Sequence, residues 1–158
     1  MAPPGPTRDR ATAASVGVAL LVLAVVGLSA TVGAASLNVT PPGEPAAAAF
    51  DLRVTGATLA VTHRGGDAVD VRDLRVVVAV DGDRLRRQPP VPFFAARGFD
   101  SGPTGPFNRA SDPAWTAGET ATLTVAGTNG PRIEVGDTVT VTLYESEYRL
   151  AVLRSVAS

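Results

Sequence analysis

The chain has 158 residues and no cysteine. Disulfides and thiolate metal sites are excluded, so any folded domain is held by packing alone. Lysine is also absent: all fourteen basic side chains are arginine. A single histidine, His63, rules out a multi-histidine metal centre. The net charge of −1 gives no reason to expect a nucleic-acid partner. No G-x-S-x-G elbow occurs, and no glycine-rich stretch carries the Gly-Lys-Ser/Thr element that cradles phosphates. These absences point away from an enzyme, a cofactor or a small-molecule substrate. Aspartate outnumbers glutamate, and alanine and valine abound. That usage is the mark of a GC-rich genome and leans toward salt adaptation.

What is present begins with an apolar run. From Ala11 to Leu37 no residue is ionisable. As a helix it would extend about 40 Å at about 1.5 Å per residue, longer than the hydrocarbon slab of about 30 Å. Arg8 and Arg10 precede it, and the first charge beyond it is Glu44. The positive-inside bias then predicts a single-pass chain in the cell membrane, N-terminus cytoplasmic and C-terminal bulk outside. The rival is a secretory signal cleaved after Val32-Gly33-Ala34; the length of the uncharged run argues against it. Ala13, Gly17, Leu20, Ala24, Gly27, Thr31 and Ala34 fall on one stripe at steps of four and three, and only Leu20 is large. Such a stripe lets helices approach closely, so Ala13, Gly17, Ala24, Gly27, Thr31 and Ala34 are the expected packing positions.

The expected organisation is a Pro/Gly-rich leader over 1–11, a transmembrane or filament-core helix over 12–37 and a Pro/Ala-rich linker over 38–49. A β domain follows over 50–158. Pro41, Pro42 and Pro45 favour an extended spacer. Asn38-Val39-Thr40 is a glycosylation sequon.

Beyond Phe50 the apolar period becomes two, the mark of half-buried strands. Phe50, Leu52 and Val54 alternate with polar neighbours, as do Leu59, Val61 and His63. The "HRGGD" stretch predicts a turn on its paired glycines, with His63 capping a hairpin at a strand end. Asp81-Gly82 predicts a tight hairpin. "ETATLTVAG" and "GDTVTVTLYESEYRLAVLRSV" supply the last strands, the final turn falling near Glu145-Ser146-Glu147. Seven or eight short strands and no amphipathic helix predict an antiparallel β-sandwich behind the N-terminal helix.

The proline- and glycine-rich stretch 89–118 is the exception. It holds four of the five phenylalanines and the only tryptophan. Long loops of this kind are often functional. The expectation here is a compact loop folding its aromatics over one end of the sandwich, since leaving them wet is costly. Asp81-Gly82-Asp83 lacks the rest of a calcium loop. Asp67, Asp70 and Asp73 read as a solvated edge.

A short basic leader, "RDRA", running directly into an uncharged helix ahead of a threonine-rich β domain resembles the archaeal type IV pilins. The likeness is to the small haloarchaeal pilin-like proteins with an archaeal pilin N-terminal domain. "THRGGDAVDVRDLRV" (62–76) and "PPVPFFAARGF…GPTGPFN…DPAWTAGE" look like regions of that group. The resemblance implies that a prepilin peptidase cuts before the apolar segment, with Arg10 as the basic position, Ala11 before the cut and Thr12 as the new N-terminus. It implies a structural subunit of a surface filament for adhesion, whose partners are copies of itself, other pilins, the peptidase and the membrane. The alternative is a monomeric tethered or secreted β-sandwich that engages cell-wall or S-layer material.

Overall fold

The computed structural model describes residues 46–158. Within them the chain forms nine strands: β1 (Ala48–Thr55), β2 (Thr58–Gly66), β3 (Val69–Asp70), β4 (Leu74–Val80), β5 (Asp83–Arg84), β6 (Ala114–Trp115), β7 (Thr120–Thr124), β8 (Thr138–Glu145) and β9 (Tyr148–Val156). A three-stranded sheet has the order β1-β2-β7, a four-stranded sheet the order β5-β4-β8-β9, and β3 pairs with β6 alone. Every strand pairing is antiparallel.

Alternation builds the core. Leu59 and Val61 of β2 and Ala121 and Leu123 of β7 point inward from one sheet. Val76 and Val78 of β4 and Val139, Val141 and Leu143 of β8 do so from the other. All belong to one hydrophobic cluster, so the two sheets share a single core in the manner of a sandwich. Fully burying a valine or leucine is worth about 1.5–3 kcal/mol, and this cluster is the main source of stability.

Turn chemistry fixes the register. Asp81 and Gly82 both take positive φ, 50° and 92°, as a two-residue turn with the right twist requires. Val80 and Asp83 pair directly across it. Ser146, at φ 51°, does the same for β8 and β9, where Glu145 pairs with Tyr148.

The paired glycines of "HRGGD" do not make the expected turn. β2 runs on through Gly65 and Gly66, which pair with Ala49 and Ala48. Arg64 is the extra residue of a bulge, because Phe50 pairs with His63 and Ala49 with Gly65. A bend follows at Asp67, ahead of β3.

The aromatic stretch folds inward. Phe93, Phe99, Phe107 and Trp115 are all buried in the common core, and only Phe94 stands exposed. Single bridges from Phe99 to Val125 and from Thr104 to Thr122 lay the loop along the edge of β7. The edge of β4 is closed by a side chain. Gln88 Oε1 accepts from Val78 N at 2.7 Å, and Gln88 Nε2 donates to Val78 O at 3.0 Å and Leu85 O at 2.9 Å.

The expected fold class and location need correction. The sequence predicted a β domain behind a transmembrane helix, in a single-pass membrane protein. Among the described residues no helix is long and apolar enough to cross a membrane. The helical pieces there are the three-residue 3-10 turns Val71–Asp73 and Gly105–Phe107. Past residue 46 the apolar period is two, broken by glycine and proline, so the described residues build strands rather than a long apolar helix. The single-pass membrane placement therefore has no support among the described residues. The leader, the 12–37 segment with its packing positions, the processing residues Arg10, Ala11 and Thr12, and Asn38 lie outside the described residues.

Candidate functional site

His63 is the side chain most able to do chemistry, and it is not at a turn. It is fully buried. Its ring packs edge-on against Phe50, centroids 4.8 Å apart, and against Trp115 at 6.2 Å. Phe50 and Phe107 close on Trp115 at 4.9 and 5.2 Å. His63 Nε2 lies 2.9 Å from the Asp67 carbonyl. A carbonyl only accepts, so Nε2 carries the proton and donates it. Nδ1 is buried without a hydrogen-bond partner.

The backbone of His63 is tied to the far end of the aromatic stretch. Its N–H donates to Glu119 O at 2.9 Å, and Gly118 N donates to its carbonyl at 2.7 Å. Trp115 Nε1 donates to the same Glu119 carbonyl at 3.1 Å. An imidazole enclosed in this way has no route to a substrate. It is a packing and anchoring residue.

The acidic candidates serve local structure. Asp67 Oδ2 accepts from Ala47 N at 3.0 Å. Asp70 caps the Val71–Asp73 turn, its Oδ1 accepting from Arg72 N at 2.9 Å and from Arg72 Nε at 2.9 Å. Those bonds favour the ionised carboxyl, and the Arg72 guanidinium holds it down at about 2. Asp81 Oδ1 accepts from Thr138 N at 2.9 Å, bracing the hairpin. Among the described residues no group of three or more such side chains is placed to hold a metal ion.

Two surface features remain. One is a polar terrace on the outer face of β1, β2 and β7. Thr58 and Thr62 of β2 share hydrogen bonds with Thr124 and Thr120 of β7 at 2.9 and 2.8 Å. Beside them a shallow depression of about 390 Å³ is bordered by Asp51, Arg53, Arg64 and Thr120. Arg64 and Asp51 lie 3.8 Å apart there, both well exposed.

The other is a cleft of about 290 Å³ bordered by Arg86, Arg87, Thr128 and Asn129. Its floor is the side chain of Asn129, which is 3% exposed. The Asn129 amide donates to Arg87 O at 2.9 Å and Gly98 O at 3.2 Å. Its carbonyl oxygen accepts from Arg87 N at 3.1 Å and Gly130 N at 3.0 Å. Arg86 N adds a bond to Gly130 O at 2.7 Å. Three separate chain segments are thus clamped by one side chain.

Two glycines leave room for side chains at the cleft, Gly130 for Arg86 and Gly98 for Asn129 and Arg87. A Cβ at Gly130 would stand 3.0 Å from the Arg86 Cζ, and one at Gly98 would stand 3.1 Å from the Arg87 Cδ. Among the described residues, neither arginine stands in ion-pair contact with a carboxylate; the pairs there are Asp51–Arg64 and Asp70–Arg72.

Sequence reasoning missed this cleft. The available signal was "DRLRRQ" just past the Asp-Gly turn. Nothing in the residue order tied it to Asn129, more than forty positions on in sequence. A scan against protein-family models gave no match, and no curated protein matched the chain.

Proposed function

We propose that this chain is a pilin-like structural subunit of a surface filament used for adhesion, with its β domain as a rigid, non-enzymatic head. Its partners on this reading are copies of itself, other pilins and a prepilin peptidase acting at Arg10, Ala11 and Thr12.

One observation carries the most weight. Two stretches that look like the pilin group's, 62–76 and the "DPAWTAGE" run, form a single interlocked unit. His63 of the first is enclosed by Trp115 and hydrogen-bonded through its backbone to Gly118 and Glu119 of the second. That unit supports a structural role, because it stiffens the domain rather than exposing a reactive group.

Electron microscopy of surface fractions from cells producing the full chain tests the reading. Filaments labelled by an antibody to the β domain are expected, and they should be lost when the gene is deleted. Labelled monomeric material without filaments would favour the binding-module alternative and overturn the proposal.

A further inference from the structure

We propose that the cleft bordered by Arg86, Arg87, Thr128 and Asn129 is a binding site for a tetrahedral oxyanion, a phosphate or sulfate group. The claim is independent of the filament reading.

The geometry is built rather than incidental. Asn129 is buried and uses both ends of its amide to hold the Arg87 backbone, the Gly98 carbonyl and the Gly130 N–H together. The Arg86 guanidinium lies against Gly130, and Gly98 leaves room for the Asn129 amide and the Arg87 stem. The backbone from which both side chains leave is therefore held before any ligand arrives, which lowers the ordering cost of binding.

Charge decides what fits. Arg86 and Arg87 bring two positive charges to one cleft, and no described carboxylate pairs with them. An anion offsets that charge. Guanidinium forks match phosphate and sulfate oxygens in pairs of parallel hydrogen bonds, and Thr128, which also borders the cleft, carries a hydroxyl able to donate. The contrast lies on the same molecule. The depression near Thr120 also has two arginines, but Asp51 stands beside Arg64 there and offsets its charge.

The test is a titration of the full chain with sodium sulfate and with sodium phosphate, against sodium chloride at matched ionic strength, read by amide chemical shifts. Saturable shifts are expected at Arg87, Thr128, Asn129 and Gly130, with chloride giving none. Arg86→Gln with Arg87→Gln should weaken binding by roughly tenfold or more, because each charge-assisted bond contributes strongly. Both side chains are exposed, so the variant should keep its fold and its spectrum elsewhere. Arg64→Gln should bind as the native chain does. The two anions separate by pH: phosphate binding should strengthen from about pH 5 to about pH 8 as its second proton leaves, and sulfate binding should stay flat. Tighter binding of dianionic phosphate assigns the site to a phosphate group, and tighter sulfate binding to a sulfate group. No saturable shift with either anion, or equal binding by the double variant, would overturn the proposal.

Discussion

The edge of the His63 imidazole meets the Trp115 indole at 6.2 Å, inside a box that Phe50 and Phe107 complete. The two residues lie about fifty positions apart in sequence, so this contact ties the aromatic stretch to the β1-β2 hairpin.

Trp115→Ala should therefore be among the most damaging single changes. Emptying a fully buried aromatic site costs about 3–5 kcal/mol, and Trp115 also loses its bond to Glu119 O. Thermal unfolding should show a fall of more than about 10 °C for a domain of this size. A change of only a few degrees would mean that the loop is not part of the core.

His63→Phe should be milder than His63→Ala. Phenylalanine keeps a ring against Phe50 and Trp115 and removes the orphaned Nδ1, at the loss of one bond to Asp67 O. Denaturant melts should place the Phe variant within about 1–2 kcal/mol of the native chain and the Ala variant about 3 kcal/mol below it. Equal losses would contradict a packing role.

Asn129→Ala removes four hydrogen bonds from a buried side chain and strands their backbone partners. The expected cost is about 2–4 kcal/mol. Hydrogen exchange should rise first at Arg87 and Gly130, whose N–H groups lose their acceptor. Unchanged protection there would refute the clamp.

Asp70 supplies the acid dependence. Its folded value is lowered to about 2 from an ordinary 3.8. A lowered carboxyl stabilises the fold above its unfolded value and loses that contribution as pH falls from near 4 toward 2. Asp70→Asn should flatten the melting curve in that window. The effect should be small, since the pair with Arg72 is exposed and salt screens it. An unaltered acid profile would show that the pair contributes nothing.

Much of the strand pattern was legible, because alternation and turn chemistry are local. Leu59-Val61, the Thr120–Thr124 run and the Asp81-Gly82 turn carry their own signals. His63 was misread because paired glycines usually mark a reversal, whereas here a bulge at Arg64 lets β2 continue through them. The β3-β6 pair and the Gln88 cap on Val78 depend on partners far apart in sequence or on a side chain imitating backbone, and neither leaves a periodic trace. The arginine cleft was hidden for the same reason. Its floor residue, Asn129, sits in a turn that reads as ordinary loop.

The most direct measurement is the mature N-terminus, read by mass spectrometry of the protein recovered from its producing cell. A first peptide beginning near Thr12 and retaining Val16–Leu28 is the result expected of a pilin-like subunit. A mature chain beginning at Ala35 or Ser36 would contradict that account and leave an ordinary secreted domain.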